Sequence, residues 1–267
     1  MTSNAGVTLS LDGAVARLTI NQPARRNAMT EAMWEQLDMH LAGLREGPAR
    51  ALILSGSGEH FCAGADISEL REQLATPARL RANSERIQVV QQALAALPIP
   101  SLAAIQGACV GGGVGLALCC DLRLATPDAR FALTPTRLGL HYSLSDTRRL
   151  AGVVGLAQAR QMLLTADLID AAEAHRWGLV SELHPDANAL YAAALARARA
   201  WAQASPAALR QTKRVLAHLD GSQPRKEAEL KAEFLAAFDG PDFREGANAF
   251  LEKRPPRFVG DDEEGSL

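Results

Sequence analysis

Short apolar runs alternate along this chain with longer stretches whose apolar residues fall at helical spacing. That pattern predicts an α/β fold in which strands and helices take turns. Residues 7–11 and 15–20 read as two strands around Asp12-Gly13, a dipeptide that favours a hairpin turn. Thr30 stands where it would cap a helix running to about Leu44, with Met33, Leu37, Leu41 and Leu44 on one face. A short buried strand over 51–54 follows, then an amphipathic helix over 77–97 closed by Pro98 and Pro100. Next come a strand over 101–105, a loop over 107–112, a buried helix over 113–120, and strands over 122–125 and 130–133. From Leu144 onward helical signals dominate. Asp170 with Glu173, and Asp242 with Glu245, have capping-box spacing, and Ser205-Pro206 joins a cap to a proline at the first helical position. The expected division is a core over 1–200 and a helical region over 201–267, ending in the acidic tail Asp261-Asp262-Glu263-Glu264.

Two small-residue segments interrupt the pattern, Phe61-Cys62-Ala63-Gly64-Ala65-Asp66 and Gly107-Ala108-Cys109-Val110-Gly111-Gly112-Gly113-Val114-Gly115. Each follows an apolar run and precedes a helical stretch. Small residues let a ligand approach the main chain, and the first N–H groups of a helix lack an internal partner. Brought face to face, the segments would offer two main-chain donors to an oxygen that turns negative during a reaction. Tight helix–sheet packing would use the same glycines. The second segment fails the dinucleotide G-x-G-x-x-G register, has no Gly-Lys-Ser/Thr of a phosphate loop, and lacks a G-x-S-x-G elbow.

Composition narrows the class. An apolar share of 48% over 267 residues supports a substantial folded core. The net charge of −2 comes with scattered basic residues, which argues against a nucleic-acid face. Cys62, Cys109, Cys119 and Cys120 lack CxxC metal spacing and read as reduced, buried thiols, so no metal or redox cofactor is expected. Residues 102–120 are uncharged and long enough to cross a bilayer, yet their glycines and Gln106 suit a strand, loop and buried helix better. With no secretory signal in 1–6, the expected location is the cytoplasm, away from membranes.

Phe61 to Ile67, residues 107–121 and Phe250-Leu251-Glu252-Lys253-Arg254, with Asn21-Gln22-Pro23-Ala24-Arg25-Arg26-Asn27-Ala28, resemble the enoyl-CoA hydratase/isomerase (crotonase) superfamily. The likeness runs over nearly the whole chain. It implies a crotonase-like spiral of ββα turns, a C-terminal helical trimerisation region, a homotrimer or dimer of trimers, and acyl-CoA thioesters as substrates. By the same resemblance, the N–H groups of Ala65 and Gly112 hold the thioester oxygen. Coenzyme A, as part of the substrate, would meet Arg25 or Arg26, Ala63, Asp66 and Ile67, with Thr134 in the acyl region and Phe250 and Lys253 near the nucleotide. An ordinary solvated helix end would equally explain Lys253-Arg254.

The chain departs from the family where proton transfer is expected. Hydratases of the family use two glutamates, at positions held here by Gly115 and Pro135. Neither residue transfers a proton, which argues against two-glutamate hydration. Ser143 replaces the aspartate of the family's isomerases and a dehalogenase. Residues 134–146, with 242–260, resemble the methylmalonyl-CoA decarboxylase branch, whose Thr-Pro-x-x-Leu-Gly-x-x-Tyr pattern places Tyr142 in the acyl pocket. Loss of CO₂ forms the enolate without a base. That branch carries a histidine at the Ala65 position and a glutamate at the Gly115 position, both missing here. Tyr142, Asp146 and His141 remain as proton-transfer candidates. Each has an ordinary alternative: a pocket wall for Tyr142, pairing with Arg148 or Arg149 for Asp146, solvation for His141. Glu69 is expected to face solvent, and Cys62 to be a packing residue. The expected activity is acyl-CoA processing through a stabilised enolate. A malonyl-type decarboxylase and a non-catalytic acyl-CoA-binding protein are the alternatives.

Overall fold

The Asp12-Gly13 turn forms with Gly13 in the left-handed region at φ 59°. It joins β1 (Gly6–Asp12) antiparallel to β2 (Val15–Asn21). The structure is a computed structural model, and it describes residues 6–258. From β2 the sheet continues in parallel through β3 (Ala51–Gly56), β4 (Ser101–Ile105), β6 (Leu122–Ala125) and β9 (Glu182–Leu183). Every residue of β3 and β4 is buried, as in a parallel sheet covered on both faces.

The pleat sends alternate residues to two cores. Val15, Ala51, Ile53, Leu102, Ala104 and Leu124 pack with Leu190, Ala194 and Ala198 of α7 (Ala187–Ala202). Ala16, Leu18, Leu52, Leu54, Ala103 and Ile105 belong to the larger core. There they join Met33, Leu37, Leu41 and Leu44 of α1 (Glu31–Glu46), the face expected from the sequence. The same core takes in Val90 and Leu94 of α3 (Pro77–Ala95).

A second sheet carries β5 (Ala108–Val110), β7 (Arg130–Ala132) and β8 (Ile169–Asp170). The expected loop over 107–112 therefore contains a strand. Cys109 explains it, pairing with Phe131 on one side and bridging Cys62 on the other. Then follows α4 (Gly112–Cys119), buried from Gly113 onward. α2 (Ile67–Gln73) and α5 (Leu144–Thr165) complete the elements around the site, the latter bent at Gly155, and α6 (Ala171–Arg176) follows β8.

Thr30 accepts a hydrogen bond from the Met33 N–H at 3.2 Å, Asp170 from Glu173 at 2.8 Å and Ser205 from Ala208 at 3.0 Å, so these three caps form. The Asp242–Glu245 capping box does not. α10 (Pro241–Leu251) starts two residues earlier than that box requires, where proline suits the first helical position. Asp242 accepts instead from the Ser205 hydroxyl, and Glu245 binds Arg254.

The C-terminal region is helical, with α8 (Pro206–Leu219), α9 (Glu227–Ala236) and α10. The acidic tail lies outside the described residues. All four cysteines are buried and unpaired in disulfides, and burial pushes the Cys62 thiol up to about 12. Among the described residues no helix is long and apolar enough to cross a membrane.

Candidate active site

The two small-residue segments lie side by side. The Cys62 N–H donates to the Ala108 carbonyl, and the Val110 N–H to the Cys62 carbonyl, both at 2.9 Å. Gly111 then donates to Ala132 at 2.8 Å, tying the second segment to β7. Gly64 lies where they converge, at φ 102°, and a Cβ there would stand 3.0 Å from the Val110 oxygen and 3.7 Å from the Gly112 nitrogen. Only glycine accepts both that dihedral and that approach.

On the other side, Met29 donates to the Gly64 carbonyl at 2.7 Å and accepts from the Asp66 N–H at 3.0 Å. In this parallel bridge Ala65 uses neither of its own polar groups, so its N–H turns away from Met29. Gly112 is the first residue of α4, where N–H groups lack helical partners and the helix dipole favours negative charge. Among the described residues, neither the Ala65 nor the Gly112 N–H has a hydrogen-bond partner. The Ala63 N–H is engaged, donating to the Arg26 carbonyl at 2.9 Å.

The segment over 21–28 braces the first loop. Asn27, fully buried and at φ 57°, donates to the Ser57 and His60 carbonyls at 2.8 and 2.6 Å. Arg25 holds both oxygens of Asp66 at 2.7 and 2.8 Å, and the Ser68 N–H and Gln22 amide donate to the same carboxylate. Burial raises the Asp66 carboxyl, but the bonds from Ser68 and Arg25 outweigh it and bring it down to about 2. The carboxylate is thus engaged within the protein, while Arg26 and Ile67 are exposed beside it. Glu69 does not simply face solvent: its carboxylate accepts from the Glu31 N–H at 2.7 Å, at the start of α1. An unpaired helical N–H draws it there.

One turn beyond Gly112, the helix passes Gly115. A Cβ at Gly115 would collide with the Gln91 amide nitrogen and stand 3.2 Å from the Tyr142 hydroxyl. Gln91 comes from α3 and Tyr142 from the segment before α5, so three elements meet here. Burial, with the nearby Asp146 charge, pushes the phenol well above its ordinary range, so it stays neutral. Nothing in the sequence pattern marks Gln91, which reads as one more polar residue on an amphipathic helix.

Asp146 pairs with Arg149 at 3.2 Å and accepts from the Ser143 hydroxyl at 2.8 Å. Arg148 takes no part in this pair; it donates to the Gly221 carbonyl at 3.0 Å. Burial raises the Asp146 carboxyl despite Ser143 and Arg149. His141 is exposed. Thr134 and Pro135 begin a 3₁₀ turn over Pro135–Leu138, partly buried. Phe250, 84% exposed, and Lys253 lie at the end of α10. Neither makes a hydrogen bond or ion pair to the Ala65 or Gly112 loops among the described residues. A cavity of about 440 Å³ elsewhere is lined by Cys119, Cys120, Asp121 and Arg123 rather than by Gly112 or Ala65.

Two main-chain N–H groups without partners among the described residues thus lie on neighbouring loops, with a neutral phenol and an amide at Gly115, one helical turn beyond Gly112. The family model for enoyl-CoA hydratase/isomerase matches residues 10–261. "Probable enoyl-CoA hydratase" of Rhodobacter capsulatus is 38% identical over 259 residues, covering 95% of this chain and 98% of that protein. "Probable enoyl-CoA hydratase echA6" of Mycobacterium tuberculosis is 35% identical over 251 residues, covering 92% and 96%. The crystal structure of an enoyl-CoA hydratase from Bacillus anthracis superposes with a TM-score of 0.88 at 30% identity, over 96% of this chain and 99% of that one.

Proposed function

Since the chain belongs to the enoyl-CoA hydratase/isomerase family, we propose that it holds an acyl-CoA thioester oxygen between the N–H groups of Ala65 and Gly112 and stabilises the enolate formed there. What carries this reading is the pair of unpartnered N–H groups on two loops locked side by side. Donors fixed before the reaction need no reorganisation as charge develops, and one such donor is worth about 10²–10³ in kcat. Arg25, Arg26, Ala63 and Ile67 form the rim that meets coenzyme A, and the buried Asp66 carboxylate serves it by fixing Arg25. Phe250 and Lys253 serve the nucleotide end, from this chain or from a neighbour in a trimer.

Of the three proton-transfer candidates, Tyr142 has its polar atom nearest Gly115. Asp146 is held by Arg149 and Ser143, and its role is to anchor the start of α5. His141 is exposed to solvent, away from the Gly115 contact. Gly115 and Pro135 leave the site without the acid and base of ordinary hydration. That absence favours one second reading, decarboxylation of a malonyl-type acyl-CoA, in which the departing CO₂ leaves the enolate behind.

Turnover with crotonyl-CoA, malonyl-CoA and methylmalonyl-CoA tests both. CO₂ release from a malonyl-type ester supports decarboxylation, and its absence ends that reading. Gly112→Pro deletes one donor at a position where helices accept proline. It is expected to lower turnover about 10²–10³-fold. Undiminished turnover would reject the proposed donor pair. Tight thioester binding with no turnover on any ester would instead support a binding protein.

A further inference from the structure

The cavity of about 440 Å³ reaches Cys119 and Cys120, at the opposite end of α4 from Gly112. Cations from three elements line it: Arg123 of β6, Arg148 and Arg149 of α5, and Lys213 and Arg214 of α8. Three of these have a carboxylate close by. Lys213 holds Asp121 at 2.7 Å, Arg149 holds Asp146 at 3.2 Å, and Arg214 lies 3.8 Å from Glu233. Arg123 and Arg148 form no ion pair among the described residues. Arg148, exposed at the rim, donates to the Gly221 carbonyl at 3.0 Å. Arg123 is 6% exposed, and its Nε donates to the Leu179 carbonyl at 2.6 Å and its Nη1 to the Cys120 carbonyl at 2.8 Å. Its Nη2 makes no hydrogen bond among the described residues.

Arginine is almost never buried without a countercharge. The C-terminal end of α4 offers about half a negative charge, so its carbonyls neutralise Arg123 only in part. Asp121 helps, but Lys213 shares it, and burial works against the charged guanidinium. Guanidinium forks match the oxygens of phosphoryl groups. Two of them without countercharge call for an anion with more than one charge, and the volume is that of a small-molecule site rather than a lone ion. We propose that this cavity binds a diphosphate group, one end meeting Arg123 and the other Arg148, with Lys213 beside them. The site lies apart from Ala65 and Gly112 and does not depend on what they hold.

Calorimetric titration of the full chain with inorganic pyrophosphate, inorganic phosphate, succinate and ADP, in metal-free buffer at matched ionic strength, is the experiment. Pyrophosphate is expected to bind once per chain, about tenfold or more tightly than phosphate or succinate. Binding of ADP with similar strength would assign the site to a nucleotide-borne diphosphate, and its failure to bind would assign it to the free ion. Arg148 stands outside the candidate active site, and Arg148→Met is expected to weaken pyrophosphate about tenfold, the worth of one charge-assisted hydrogen bond. Arg123→Met, checked for a native melting transition, is expected to abolish binding. Saturating acetyl-CoA is expected to leave the titration unchanged. No binding of pyrophosphate, binding no tighter than that of phosphate or succinate, displacement by acetyl-CoA, or indifference to Arg148→Met would each overturn the proposal. The Arg148 variant decides even if the Arg123 variant does not fold.

Discussion

Tyr142 and Gly115 meet across the candidate site, the phenol oxygen 3.2 Å from the position a Cβ on Gly115 would take. The Gln91 amide already fills the rest of that space. A glutamate introduced at Gly115 therefore collides with Gln91 before its carboxyl reaches a substrate. Gly115→Glu is expected to destabilise the protein by about 1–3 kcal/mol, as overpacked cores do. Combining it with Gln91→Ala is expected to recover part of that loss, read by urea denaturation as a coupling between the two sites. Equal losses in both backgrounds would show that Gln91 does not occupy the space.

The Asp66–Arg25 pair gives a pH signature. Its folded pKa of about 2 lies below the ordinary aspartate value of about 3.9. Asp66 therefore stabilises the fold above the ordinary value, and the contribution is lost as pH falls through the folded one. Arg25 is half-exposed, so Arg25→Met is expected to cost about 1–2 kcal/mol at neutral pH rather than the full worth of a buried charged bond. The difference from wild type should shrink toward about pH 2, where Asp66 is half-protonated even in the wild-type fold. A difference that stays constant across that range would contradict the assignment.

Asp146 works in the opposite sense. Burial raises its folded pKa, so its contribution is fully present in acid and lost as pH rises through the folded value. Its partner Arg149 is equally buried. Arg149→Met leaves an uncompensated carboxylate in the interior and is expected to cost about 3–5 kcal/mol at neutral pH. Acidification protonates Asp146 and relieves that cost, which chemical denaturation at neutral and mildly acid pH would reveal. No relief in acid would show that the loss comes from packing alone.

Phe238 touches Phe234 and Phe243 edge-to-face, with ring centroids 5.5 and 5.4 Å apart. All three rings remain at least half exposed. Exposed apolar patches of this kind are the surfaces that association buries, and the proposed trimer would cover this one. Sedimentation is expected to give three or six copies of the 28.4 kDa chain, and Phe238→Asp to lower that number. A wild-type monomer would count against the trimer.

How far could these features be read from the chain itself? The hairpin, the Thr30 and Ser205 caps and the buried face of α1 were legible, because each depends on residues close in sequence. The strand through Cys109 was not, since its hydrogen bonds come from Cys62 and Phe131, distant in sequence. The spacing of Asp242 and Glu245 suggested a cap, but Pro241 moved the helix start and Ser205 and Arg254 claimed the two carboxylates. At the site, composition marked the two small-residue loops, while the choice of Ala65 and Gly112 within them came from the family resemblance. Gln91 gave no such sign, because its importance lies in the side chain that Gly115 lacks, on a different helix.

The central claim concerns two N–H groups and one carbonyl. Infrared difference spectroscopy of a bound acyl-CoA, with its thioester carbon labelled with carbon-13, reads that carbonyl directly. Two hydrogen bonds from Ala65 and Gly112 should shift its stretch to lower frequency than in water, and Gly112→Pro should return part of the shift. A bound thioester whose stretch matches that of a carbonyl in an apolar solvent, unchanged by the proline, would contradict the account.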